Sequence, residues 1–291
     1  MTAPGASDTF TLMEATSYDP NDPAVGFCTS VLGHRLSLTA AKVHALVGAG
    51  ALRVELACLQ QLHLDVFDTE RLHVVREAVE AAGLTVWSVH APFCGFAMDD
   101  ADTRADGIRL LVRTMVVARL FGGRFVVVHP GRDVPTVDRG RELTWTRDAM
   151  ARAAELAPEG VAVALETMGA TSLGGPAEEM LAVLDGLDPT RAGICFDTGH
   201  VHQGADVPTY IRRVGHRILT VHLHDNHGRR DEHNLPGRGT LDWPAVLAAL
   251  RDVGYRGVLM CEGDDAELDL PATIADFTDH MRTFCREAFG D

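Results

Sequence analysis

The sequence predicts an α/β protein, a single closed (β/α)8 barrel. Three observations carry this. From about Ala24 a short apolar run, a polar or acidic turn and a longer amphipathic segment succeed one another eight times. The apolar runs are near-continuous rather than alternating, as suits parallel strands covered on both faces. The chain has 291 residues, room for the roughly 250 that such a barrel occupies. An open doubly wound sheet is the competing arrangement, but no GxGxxG follows the first strand. No Pro/Gly/Ser-rich linker divides residues 24–291, so they read as one domain behind an irregular lead-in over residues 1–23.

The first strand is read over Ala24–Cys28, with a helix near Thr39–Ala49. The second covers Leu52–Ala57, followed by a helix over Thr69–Ala82 that Gly83 ends, as a glycine just past a helix commonly does. The third covers Leu84–Val89; its helix spans Thr103–Phe121, with Leu110, Leu111, Thr114 and Met115 at helical spacing. The fourth, Phe125–Val128, stops at His129-Pro130-Gly131, where proline disfavours helix and ladder alike. A helix over Arg139–Leu156 leads to the fifth strand, Val161–Leu165, and to a helix over Ala177–Leu187 with Pro176 at a favourable start. The sixth strand is Arg191–Phe196, followed by helix Pro208–Val214; the seventh is Ile218–Leu223, followed by helix Trp243–Val253. The eighth is Gly257–Cys261, followed by helix Pro271–Phe289.

Composition narrows the partners. With 26 basic and 41 acidic residues the formal charge is −15, a balance that repels polyanions and disfavours a nucleic-acid partner. No apolar stretch of ~20 residues is present, so no membrane span is expected. Cys28, Cys58, Cys94, Cys195, Cys261 and Cys285 are scattered without a CxxC pair, the usage of a reduced, cytoplasmic protein. The N-terminus lacks the basic start and apolar core of a secretory signal.

Chemistry in such a barrel gathers where the strands finish, and the last six each finish at a potential metal ligand. These are His90, His129, Glu166, then Asp197 with His200, then His222, and finally Glu262. The loop after the seventh strand, HLHDNHGRRDEHNLPGRGTLDW, adds His224, Asp225, His227, Asp231 and His233. His222 and His224 share one face of an extended segment. Each residue alone has a structural reading; Asp197 before Thr198-Gly199 could make an Asx-turn. Together at one rim they point to a divalent-metal site, since a cation satisfies several buried carboxylates at once.

At GICFDTGH, HLHDNHGRRDEH followed by PGRGTLDW, and the terminal CEG, the chain resembles the xylose isomerase-like TIM barrel superfamily, over about residues 24–285. That group includes sugar and sugar-phosphate isomerases and epimerases, and endonuclease IV-type apurinic-site nucleases. The resemblance implies up to three metals. One would be held by His90, His129 and Glu166; a second by Glu166, Asp197, His222 and Glu262; a third by His200, Asp231 and His233. The epimerase branch uses the second set, with one manganese-like ion and the two glutamates as acid and base. The nuclease branch uses all three, with zinc-like ions.

The resulting expectation is a divalent-metal-dependent sugar or sugar-phosphate isomerase/epimerase (manganese or zinc, one to three ions), acting on a small molecule, with homo-oligomerisation left open. The cation would polarise a carbonyl while Glu166 and Glu262 remove and return a proton through an enediolate. Burial and neighbouring carboxylates are expected to bring a glutamate pKa towards working pH. Glu55 is expected at the same rim, as an acceptor for a sugar hydroxyl or in a structural salt bridge, with Phe93 against the sugar face and Trp87 there or packed in the core. His224 and His227 would act as supports or have no role. The alternative is a multinuclear phosphoester hydrolase, with Arg132, Arg229, Arg230 and Arg238 as phosphate binders. A third reading is a metal-binding barrel without turnover.

Overall fold

A computed structural model describes residues 22–33, 36–58, 61–131, 138–263 and 267–289; most of the expected lead-in and Arg132 lie outside these. Eight parallel strands close on themselves in sequence order. They are β1 (Val25–Cys28), β2 (Arg53–Ala57), β3 (Thr85–His90), β4 (Phe125–Val128), β5 (Ala162–Glu166), β6 (Ala192–Asp197), β7 (Ile218–Leu223) and β8 (Leu259–Cys261). β1 pairs with both β2 and β8, which removes the free edges an open sheet would leave.

The helices are α1 (Ala40–Gly48), α2 (Thr69–Ala81), α3 (Ala101–Leu120), α4 (Arg139–Leu156), α5 (Ala177–Leu184), α6 (Thr198–His202), α7 (Val207–Val214), α8 (Trp243–Asp252) and α9 (Leu270–Phe289). An aspartate starts most of them. Asp68, Asp100, Asp138, Asp197, Asp206 and Asp242 each accept from the backbone N–H three residues on, satisfying a donor the helix itself leaves open. α6 was not foreseen: at five residues it is too short to show a periodic pattern. α5 stops three residues before the expected end, at Leu184. β8 begins at Leu259, two residues later than expected, and the Tyr255 hydroxyl donates to the Val258 carbonyl just before it, at 2.8 Å.

Strand alternation positions the site. Ala164, Cys195 and Val127 pack with Leu219 as a small-residue layer inside the barrel. Two residues further along the same strands stand Glu166 above Ala164 and Asp197 above Cys195, so each carboxylate inherits the inward direction of a core residue. The outward faces pack against the helices in one continuous core. Among the described residues no helix is long and apolar enough to cross a membrane, and all six cysteines are free and buried.

Candidate metal centre

The strand ends bring together the residues singled out above. Glu166, Asp197 and His222 close β5, β6 and the inner face of β7, and Glu262 follows β8. One ligand atom from each lies within 4.8 Å of all the others. His222 Nδ1 is 2.9 Å from Glu262 Oε2, 3.3 Å from Glu166 Oε1 and 3.9 Å from Asp197 Oδ2. Its other nitrogen, Nε2, faces Glu55 Oε1 at 3.0 Å. Four carboxylates thus surround one imidazole that carries at most two protons. Glu55 Oε1, His222 Nε2 and Glu262 Oε2 are buried and near these partners but are not aligned with them for hydrogen bonding. A donor set so rich in negative charge and so poor in protons fits a divalent cation, the common way to hold several buried carboxylates.

Two further groups adjoin this inner cluster. Glu166 turns its second oxygen, Oε2, to His90 Nε2 and His129 Nε2, each 3.1 Å away. On the outer side, Asp231 Oδ2 meets His200 Nε2 at 3.3 Å and His233 Nε2 at 2.9 Å. The opposite ring nitrogens are also engaged. Nδ1 of His90, His200 and His233 donates to the carbonyls of Ala91, Thr167 and Glu262, at 3.0, 2.9 and 3.0 Å. An Nδ1–H committed to a carbonyl leaves Nε2 as the nitrogen on the carboxylate side, where a proton or a cation can sit, the orientation typical of metal-ligating histidines. His233 also has φ 49°, a left-handed conformation unusual for a residue with a side chain.

Electrostatics bind these groups tightly. Burial alone would push the Glu166 carboxyl up, yet the imidazoles of His129 and His222 hold it well below the usual carboxylate range. This opposes the expectation that burial and nearby carboxylates would raise it. Burial pushes the His90 imidazole down, but Glu166 against it lifts it to about 9. Burial likewise opposes charge on His233, and Asp231 lifts it to about 10. Burial would raise Asp231, but His200 and His233 hold it far below its ordinary range. Protons therefore balance the carboxylates here, and a cation would displace them.

The long loop is tied by a residue without an assigned role in the sequence reading. Asp225 is fully buried and accepts from four donors. These are the N–H groups of Asn226 (2.9 Å), Gly237 (3.0 Å) and Leu241 (3.2 Å), and Trp243 Nε1 (2.9 Å). Asp225 and Asn234 also pair antiparallel through their backbones. A Cβ on Gly239 would lie 2.2 Å from Asp225 Oδ1. The PGRGTLDW segment is thus a lock for the loop that carries Asp231 and His233. Its signal in the sequence was the aspartate followed by spaced glycines and a tryptophan.

Several expected substrate contacts are placed elsewhere. Glu55 is fully buried beneath His222, with Ser88 Oγ donating to Oε2 at 2.7 Å, so it backs the cluster and does not face a sugar. Trp87 donates through Nε1 to Thr220 at 3.1 Å. It lines a cavity of about 300 Å³ with Tyr255 and Arg256 that includes none of the candidate ligands. Phe93 is half-exposed and lines a groove with Phe67 and Met98, again without a candidate ligand. Arg238 pairs with Asp276 on α9 at 3.3 Å, and Arg230 and His227 both pair with Glu232. Arg229 lines a cavity of about 410 Å³ together with Ser172, His200, Gln203 and Asp231.

Comparison with known proteins follows the same lines. The profile of the family described as "Xylose isomerase-like TIM barrel" matches residues 43–284. An uncharacterised protein of Methanocaldococcus jannaschii is 29% identical over 185 residues, 60% of this chain and 63% of that protein. A "Probable endonuclease 4" of Acholeplasma laidlawii is 28% identical over 58% of this chain and 64% of its own length. An "L-ribulose 3-epimerase" of Mesorhizobium japonicum is 29% identical over 58% of each chain. The chain therefore spans somewhat less than two thirds of these relatives. Among solved structures, a D-tagatose 3-epimerase-like protein superposes with a TM-score of 0.78 at 21% identity, covering 91% of this chain and 98% of its own. The IOLI protein, solved with a zinc atom, gives 0.77 at 18%, covering 92% and 100%.

Proposed function

The chain belongs to the xylose isomerase-like TIM barrel family, and from that premise we propose that it is a divalent-metal-dependent isomerase or epimerase of a small sugar or sugar phosphate. The observation that carries this reading is the convergence of Glu166, Asp197, His222 and Glu262 within 4.8 Å, with the far nitrogen of His222 backed by Glu55. A divalent cation held by these four side chains, manganese or zinc, would polarise a substrate carbonyl and acidify the neighbouring C–H.

The chain's own groups do the rest. One of the two glutamates, Glu166 or Glu262, takes the proton from the carbon beside the carbonyl, and the other returns one from the opposite side. His90 and His129 steady Glu166 through Oε2, leaving Oε1 towards His222. Thr167 Oγ1 accepts the Asp197 N–H at 2.8 Å and so fixes the end of β6. The relative named as an L-ribulose 3-epimerase supports this chemistry.

Assembly of the outer group, with Arg229 beside it, favours phosphoester hydrolysis as a second reading, in keeping with the relatives named as probable endonuclease 4. Activity of the Mn²⁺- or Zn²⁺-loaded protein on ketoses, ketose phosphates and a model phosphodiester separates the two. Sugar turnover is expected, with Glu262→Gln folded but slowed by about 10²–10⁴-fold, the usual worth of a general acid or base. His200→Ala combined with His233→Ala should spare an epimerase and cripple a hydrolase. Phosphodiester turnover alone would overturn the first reading.

A further inference from the structure

His224 stands between the inner and outer groups and belongs to neither implied ligand set. Its ligand-type nitrogen lies near those of His200, Asp231 and His233, which by proximity alone would make it a fourth outer ligand. Ring geometry argues otherwise. The His224 and His233 rings are stacked, with centroids 4.1 Å apart and planes at 10°. Lone pairs of parallel rings run side by side and do not converge, so one cation cannot lie in line with both. His224 Nε2 points instead at Asp197, 3.0 Å from Oδ1 and 3.1 Å from Oδ2, and stands 3.8 Å from Asp231.

We propose that His224 is a positioning residue serving both groups: its Nε2–H holds the Asp197 carboxylate in place for the inner cation, and its ring is the platform on which His233 rests. Three further features support this. His224 is fully buried, its Nδ1 has no hydrogen-bond partner, and its Nε2 is the nitrogen that meets the carboxylate, so the N–H that is used lies on Nε2. Gly199 makes room for that ring: a Cβ there would lie 2.0 Å from His224 Cε1. Thr198 Oγ1 clasps the His224 backbone, accepting its N–H at 3.1 Å and donating to its carbonyl at 2.8 Å. His233, in a left-handed conformation, is strained and needs such a support.

This inference rests on the metal-binding reading above, and its test reads binding, not turnover. Metal-free protein is titrated with Co²⁺, followed by its absorption and by metal content. Glu262→Gln and His233→Ala identify the inner and outer classes of site. His224→Leu keeps bulk without a donor; His224→Gln restores an N–H within reach of Asp197. The leucine variant should weaken the inner class by about 10–100-fold, the usual cost of losing a partner behind a ligand, and the glutamine variant should recover most of it. Both should weaken the outer class alike, by a few-fold, through loss of the stack. Equal inner affinities in the two variants would overturn the proposal. So would loss of the outer class as complete as in His233→Ala, which would make His224 a ligand. Wild-type protein that takes up no Co²⁺ would overturn the proposed function itself, and this inference with it.

Discussion

Glu55 shows what one residue behind a ligand contributes. It accepts from Ser88 and faces His222 Nε2, so the imidazole presents Nδ1 to the other three carboxylates. Glu55→Gln can retain a contact to Ser88 but loses the charge behind the ring. The expected result is a folded protein whose inner site binds Mn²⁺ about 10–100-fold more weakly, measurable by calorimetric titration; unchanged affinity would detach Glu55 from the site. The sequence reading placed Glu55 towards substrate because it lies near the end of β2. The strand runs on to Ala57, as the sequence predicts, and Glu55 pairs in register with Ser88, two residues below His90. A one-rung difference in depth separates a group that meets solvent from one that never does, and no local pattern encodes it. The candidate ligands at the strand ends were legible because each is a polar residue at the close of an apolar run.

At the scale of elements, the segment from Asp225 to Trp243 behaves as one folded piece of the site. Asp225 alone satisfies three backbone N–H groups and an indole N–H. Asp225→Ala would leave these donors buried without a partner, at about 1–3 kcal/mol for each group, not all of it additive. The melting temperature is expected to fall by several degrees, and the outer class of metal site to be lost with it. Gly239→Ala tests the same lock with a single methyl, since its Cβ would collide with Asp225 Oδ1. A Gly239→Ala protein with native stability and outer-site affinity would show that the loop is held by other contacts. Strands and long helices were readable from periodicity to within a few residues. The lock was not, because three of its four donors lie 12–18 positions from the carboxylate they meet, beyond any helical or strand period. α6 escaped for a related reason: its one strong signal is Asp197 capping His200, and that aspartate was read as a ligand.

For the whole molecule, the barrel gathers a small cluster of carboxylates at its inner rim and so links its stability to the protons or cation that balance them. His90 in the metal-free fold is lifted from 6.5 to about 9, because Glu166 outweighs its burial. A histidine whose folded pKa exceeds its unfolded one stabilises the fold fully below the unfolded value, and that contribution is lost as pH rises through the folded value. His233, lifted to about 10, acts in the same direction. Glu166, held low by His129 and His222, contributes above its unfolded pKa and loses that contribution only in acid. Metal-free protein should therefore be most stable between about pH 4.5 and 6.5 and lose stability steadily towards pH 9. A bound cation would change the sign of the upper limb: it would take the place of the protons, bind more tightly as they leave, and stabilise the fold by mass action, about 2.7 kcal/mol at a hundred times its Kd. Melting curves of chelator-treated protein across pH 5–9, with and without Mn²⁺, should diverge progressively on the alkaline side. Parallel curves would mean that these imidazoles do not hold the protons a cation displaces.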